Sequence, residues 1–234
     1  MYGQDNRFPP EETSMSRSEY PTARPFLPED KNLDQLADAA AGCQGCPLFE
    51  DADQVVFGTG PEDADIMLVG EQPGRREDRT GQPFVGPSGE ALNQALQETG
   101  IARDEVYLTN AVKHFKSRKV DGHRTGVKPA KGEISACRPW LESEIEVVEP
   151  EIIVALGAVA ARSLTKSSIT VGEALGSWLE TGEGRDLIVT FHPGAVIRAP
   201  EGVDEDQIFD AIVEALSRAR EAVSPTSPGS QPRA

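Results

Sequence analysis

Leu68-Val-Gly-Glu71-Gln72-Pro73-Gly74-Arg-Arg-Glu77-Asp78, followed by Gly81-Gln-Pro83-Phe84-Val-Gly86-Pro87, is the stretch from which the fold is read. An apolar strand, Ile66 to Val69, runs straight into a Gly- and Pro-studded loop that carries Glu71, Gln72 and Asp78. The aromatic Phe84 sits inside a second Gly/Pro frame. Polar groups and one flat ring are thereby set at the carboxyl end of a strand, where open α/β sheets bind ligands. Two such frames around one aromatic are more than a turn needs, because each fixes the backbone where a side chain has to be aimed.

Outward from this loop the chain alternates strands and helices. Asn32 caps a helix from Leu33 to Ala41, with Leu33, Leu36 and Ala40 on one face. Ser88 caps a second helix, Glu90 to Thr99, which Gly100 closes. Val106 to Val112 is a strand, and Lys131 to Val148 contains a helix. Ile152 to Leu156 is a buried strand leading through Gly157 into the helix Ala158 to Leu164. Leu187 to Phe191 is a strand ending at His192-Pro193-Gly194, and Asp206 to Ala222 is an amphipathic helix. The alternation implies an α/β fold in three layers, a mainly parallel central sheet with helices on both faces. Residues 1–30 read as a disordered leader, 31–223 as one domain, and 224–234 as a Ser/Pro/Gly-rich disordered tail.

Composition limits the function. The formal charge is −16, the wrong sign for a protein that binds nucleic acid over its whole surface. Five of the seven lysines, however, lie between Lys113 and Lys131, together with Arg118 and Arg124, and Asp121 is the only acid there. A basic loop on an acidic protein is a local phosphate-binding footprint. No stretch approaches the roughly 18 apolar residues of a membrane span, and the start lacks the regions of a signal peptide. A cytoplasmic protein, monomeric and without a membrane partner, is expected.

The three cysteines are Cys43 and Cys46, in Cys-Gln-Gly-Cys-Pro, and Cys137, in Ala-Cys-Arg-Pro-Trp. A redox pair usually sits between a strand and a helix; this pair follows a helix. A structural metal site takes four ligands, and His114, just after the strand that starts at Val106, is the natural fourth. Spacing alone leaves zinc and [4Fe–4S] both open.

Taken together, Gly70-Glu-Gln-Pro-Gly74, Glu77-Asp78, Gly81-Gln-Pro-Phe-Val-Gly86, Thr109-Asn110, the Cys-x-x-Cys, Ala136-Cys-Arg-Pro-Trp140 and His192-Pro193 resemble the uracil-DNA glycosylase superfamily. The resemblance is closest to the iron–sulfur family 4 and its UdgX-type branch, and it runs in order over residues 33–220. Family 4 commonly has Ala where Gln72 stands and Cys where His114 stands; Gln72 and Val112-Lys-His-Phe-Lys116 resemble the UdgX-type branch. The resemblance implies a [4Fe–4S] cluster held by Cys43, Cys46, His114 and Cys137, and uracil-containing DNA as partner. In the UdgX-type branch a basic loop ends in Arg-Arg-Ile-His, and that histidine bonds to the deoxyribose after uracil leaves. Counting back from Cys137 puts Gly126 opposite it; His123, three residues earlier, takes its place only through a shift of the loop.

The resemblance implies a uracil-DNA glycosylase that hydrolyses the N-glycosidic bond in base excision repair. The alternatives are a UdgX-type protein that traps the abasic product covalently, or an iron–sulfur DNA-interaction module without turnover. Roles follow from the chemistry of base removal. A flipped uracil stacks on an aromatic face for about 1–3 kcal/mol, and Phe84 is the candidate platform. An amide donates to O4 and accepts from N3–H, which suits Asn110 at a strand end and rejects cytosine. His192 donates toward O2, stabilising the departing anion by roughly 3–4 kcal/mol. Glu71 positions or activates water or stabilises the sugar cation, and Gln72 orients the base or its backbone contacts. Lys116, Lys119 and Arg124 are expected at DNA phosphates, and Arg198 at a phosphate or lining the inserting loop.

Overall fold

Successive residues of a strand face opposite sides of the sheet, and β1 (Ile66–Gly70), β2 (Val106–Asn110) and β5 (Ile152–Leu156) are buried at all five positions. Such strands need cover on both faces. In the computed structural model, which describes residues 20–167, 169–199 and 204–223, the cover is two helical layers. In chain order the elements are α1 (Leu33–Ala40), β1, α2 (Arg75–Thr80), α3 (Pro87–Thr99), β2, β3 (Ser117–Val120), β4 (His123–Gly126), α4 (Lys131–Val148) and β5. There follow α5 (Ala158–Thr165), α6 (Val171–Ala174), β6 (Trp178–Glu180), β7 (Asp186–Thr190), α7 (Gly194–Ile197) and α8 (Glu205–Val223).

The main sheet has the order β2-β1-β5-β7-β6, parallel throughout except for the antiparallel edge strand β6. Leu68, Leu108, Val154 and Ile188 project into a core shared with Leu92 and Leu96 of α3 and Ile212 and Leu216 of α8. Met67, Val69, Tyr107, Ile153 and Val189 project the other way, onto Leu141 and Ile145 of α4 and Val159 of α5. The three-layer α/β fold expected from the sequence is the fold observed.

Several local readings are corrected. Ser88 is not the cap of α3: Gly86 is the N-cap and Pro87 the first helical residue, a position where the missing N–H is no loss. β2 ends at Asn110 rather than Val112. The basic segment, read as a loop, is a hairpin of β3 and β4 joined by Asp121 and Gly122, with φ of 50° and 78°, the tight-turn chemistry of Asp-Gly. Folded chain also begins before residue 31. Thr22 N–H donates to the Gly45 carbonyl, and the fully buried Ala23 donates to that of Ala136. This strap packs on the segments that carry all three cysteines. The leader before residue 20 and the tail after residue 223 lie outside the described residues. Among those described, no helix is long and apolar enough to cross a membrane.

Candidate active site and metal centre

Parallel pairing sets Gly70 beside Asn110, and the reason for a glycine is steric. A Cβ there would lie 2.3 Å from Asn110 Oδ1 and 2.6 Å from Phe84 Cζ. The amide and the ring therefore close over the strand end and share one slot. Asn110 is 2% exposed, and its Oδ1 has no hydrogen-bond partner among the described residues. Leaving a buried acceptor unpaired costs about 1–3 kcal/mol, which is the mark of a group kept for a ligand.

Phe84 has a φ of +53°, a region that bulky residues rarely occupy. Arg103 Nη2 holds it by donating to the carbonyls of Pro83 (2.9 Å) and Phe84 (3.1 Å). From the other side, the buried Glu77 accepts from the N–H groups of Val85 (3.0 Å) and Gly86 (2.7 Å). The Gly/Pro frames announced a fixed backbone; Arg103 and Glu77, which fix it, carry no sequence signal of that role.

His192 follows β7, with its ring 6.5 Å from that of Phe84 and tilted by 31°. Its Nδ1 accepts from the Gly194 N–H at 3.0 Å. Burial, and then the charge of Arg198, push its pKa down to about 4. The imidazole is therefore neutral at physiological pH and carries its proton on Nε2. Glu71 is half-buried at the head of the same cleft. Burial raises its carboxyl above the usual range, against the pull of Lys128, Arg198 and Arg162. The cleft, of about 570 Å³, is lined by Glu71, Gln72, Ser88, Phe115, Gly126, Lys128, His192 and Arg198 among others.

The hairpin forms one wall of this cleft and is clamped in place. Gln72 Nε2 donates to the Val127 carbonyl and its Oε1 accepts from the Lys116 N–H, both at 2.9 Å. Its amide thus grips the two strand ends instead of standing free for a base. Arg124 pairs with Asp53 at 2.8 Å and the buried Asp78 at 2.9 Å, and lies 5.3 Å from the Phe115 ring centre. Lys116 pairs with Glu133 at 2.8 Å. These two cations, expected at phosphates, hold the hairpin to α2 and α4, and Lys113 is entirely buried. Arg118 and Lys119 on β3 are exposed, as are Lys128 and Arg198, which line the cleft.

Gly126 lies in the cleft wall, whereas His123 is exposed beside the turn, paired with Val120. Three residues of strand separate the two by about 10 Å. Their side chains lie on opposite faces of β4, so His123 reaches the place of Gly126 only through a three-residue slip of register, which would break the Val120–His123 and Ser117–Gly126 pairing observed. Ile197, 49% exposed beside Arg198, was not singled out from the sequence; the apolar run Ala195 to Ile197 directly after His-Pro was its available signal.

Cys43, Cys46, Cys137 and His114 are all buried. The cysteines share one core cluster with Phe57 and Trp140. Trp140 Nε1–H donates to Cys43 Sγ and the Lys113 N–H to Cys137 Sγ, each at 3.2 Å. Burial raises the Cys46 thiol against the pull of the Leu48 backbone bond, and burial pushes that of Cys137 up to about 12 against the charge and N–H bond of Lys113. Burial lowers His114 to about 4, leaving a neutral imidazole. Among the described residues, no group of three or more His, Cys, Asp or Glu side chains is close enough to hold a metal ion.

An open parallel sheet with an aromatic, an unpaired amide and a neutral imidazole at its strand ends defines an α/β domain built to take a flat, hydrogen-bonding ligand. The chain belongs to the uracil-DNA glycosylase superfamily: the family profile described as "Uracil DNA glycosylase superfamily" matches residues 57–217. It is similar to the type-4 uracil-DNA glycosylase of Thermotoga maritima, 36% identical over 167 residues, covering 71% of this chain and 83% of that protein. The type-4 enzyme of Saccharolobus solfataricus is 35% identical over 197 residues, 80% of this chain and 87% of its own length. That of Pyrobaculum aerophilum is 35% identical over 176 residues, covering 72% and 86%.

Proposed function

We propose that the protein is a uracil-DNA glycosylase that releases uracil by hydrolysis of its N-glycosidic bond, in base excision repair. The observation that carries the reading is the buried, unpaired Asn110 Oδ1 set beside Phe84. A flipped uracil stacks on Phe84 and offers its N3–H to Asn110 Oδ1, while the amide N–H meets O4. Cytosine presents an acceptor at N3 and a donor at C4, and would leave both pairs mismatched. As the bond from C1′ to N1 breaks, negative charge gathers on the base, and His192 Nε2–H donates to O2. The bond that the Gly194 N–H makes to Nδ1 keeps that proton on the needed nitrogen. Glu71, as a carboxylate, faces the sugar, stabilising its positive charge and orienting the attacking water. Ile197 is a candidate wedge, since apolar side chains inserted between base steps help to open the stack.

Gly126 supports turnover over covalent trapping, because a glycine in the cleft wall has no atom to attack the sugar. DNA contact falls to the exposed Arg118, Lys119, Lys128 and Arg198. Replacing Arg118, Lys119 and Lys128 together by Ala should weaken binding to any duplex. It should also reduce the slope of log K against log salt by about 3, at roughly 0.9 per phosphate contact. Fluorescence anisotropy across a salt series measures this, and an unchanged slope would move the interface elsewhere.

Cys43, Cys46, His114 and Cys137 would hold a [4Fe–4S] cluster. In chemistry a neutral imidazole and three sulfurs, two of them accepting N–H bonds, suit such a cluster, although the described side chains do not converge on a single ion. Bound there, the cluster would tie the segment after α1 and the turn after β2 to α4, and the cleavage, a hydrolysis, would take no electron from it. The purified protein should be brown, with about four irons per chain, and His114→Ala should weaken or lose them. A colourless protein with one stoichiometric zinc would contradict the assignment. The experiment that tests the function itself is incubation with a uracil-containing oligonucleotide, with free uracil and abasic DNA as the expected products.

A further inference from the structure

Behind the strand that carries Asn110 lies an ion pair that does not reach the cleft. Lys113 is fully buried, and so is Glu144 of α4. All three ammonium protons of Lys113 are used. It donates to Thr109 Oγ1 at 2.6 Å, to the Asn110 carbonyl at 2.8 Å and to Glu144 in a close ion pair. Glu144 also accepts from Thr109 Oγ1 at 2.9 Å, the Tyr107 hydroxyl at 3.1 Å and the Gly58 N–H at 3.0 Å. Thr59, next to Gly58, bridges to Leu108 on the open edge of β2.

Stability does not explain this arrangement, because a buried ion pair is commonly no more stabilising than packed hydrocarbon of the same volume. Its bonds have a common destination instead: residues 107, 109 and 110 of β2, and the segment that flanks β2. We propose that Lys113 and Glu144 are a positioning pair for base recognition, holding the backbone of Asn110 from behind so that its amide meets the base at one place and one angle. The inference rests on reading Asn110 as the base-contacting amide. A hydrogen-bonded site of this kind discriminates only while donor and acceptor stay in register with the edge of the base. A displacement of about 1 Å at a reacting group can cost on the order of 100-fold in rate.

The test is the double variant Lys113→Met/Glu144→Leu, which replaces the pair by apolar groups and leaves no unpaired charge. Its single-turnover release of uracil should fall about 100-fold. Free uracil should become a correspondingly weaker competitive inhibitor. Binding to undamaged duplex and iron content per chain should stay as in the parent. A purely structural pair would lower the melting temperature and leave rate and uracil inhibition unchanged well below it, and that result overturns the proposal. So does a rate loss that merely tracks iron loss. Should the double variant fail to fold, Thr109→Val decides: it removes one hydroxyl that links the two charges, and an unchanged rate and uracil inhibition overturn the proposal. Asn110→Ala, measured in parallel, separates the two levels. Full activity there would remove the underlying reading. A dead Asn110→Ala beside a fully active double variant would remove the positioning pair alone.

Discussion

His192→Ala should lower single-turnover release of uracil by about 100- to 1,000-fold, with DNA binding and melting temperature little changed. The size of the effect follows from where the charge goes. Uracil departs as an anion, and a preorganised N–H within a partly desolvated cleft stabilises it more than water does. The ring serves through a proton on Nε2, and its pKa of about 4 leaves it neutral through the physiological range with Nδ1 accepting from Gly194. It is half-protonated only near pH 4, so His192 puts no break in the pH–rate profile near 6.5. The acid limb belongs to Glu71. Burial raises that carboxyl, so the carboxylate is lost, and the rate falls, at a higher pH than for an ordinary glutamate. Glu71→Gln should therefore be slower and should have lost that limb. Near-parental rates for His192→Ala would remove the residue from the mechanism.

Asn110→Ala should be as damaging, by about two to three orders of magnitude in the same assay, for a different reason. It removes the pair of hydrogen bonds that distinguishes uracil and leaves the anion contact in place. The two losses are separate contributions to one barrier. Gly70→Ala tests the same slot from its floor, since the added Cβ would fall 2.3 Å from Asn110 Oδ1. It should abolish base binding without removing any polar group. Both variants should still bind undamaged duplex through the hairpin; loss of that binding would point to a general collapse of the site.

The fold was open to sequence reasoning because its determinants are local and repeated. Ile152 to Leu156 and Ile66 to Val69 are apolar runs bounded by turn residues, and Gly100 ends α3 in the left-handed conformation, as expected. The residues at the slot were legible for a related reason: Glu71, Phe84, Asn110 and His192 all stand at strand ends or inside Gly/Pro frames. The basic segment was not. Its charge signalled phosphate binding, but charge does not reveal which cations are already paired. Lys116 and Arg124 are paired with Glu133 and Asp78, the former's partner on α4 and the latter's on α2. Lys113 answers to Glu144, 31 positions away. Likewise Gln72, read as a base contact, spends its amide on the backbone of the hairpin. Pairings at such separations belong to the folded chain and leave no periodicity behind.

The central claim is most directly tested by incubating the protein with a molar excess of a uracil-containing oligonucleotide and resolving the products, heated in denaturant, on a gel. Hydrolytic turnover should give free uracil and abasic DNA beyond one equivalent of protein, with no protein–DNA band surviving heat. That outcome follows from Gly126 in the cleft wall and from His123 standing three residues away on the opposite face of β4. A heat-stable adduct that stops at one equivalent and disappears in His123→Ala would contradict it, as would the absence of any uracil release.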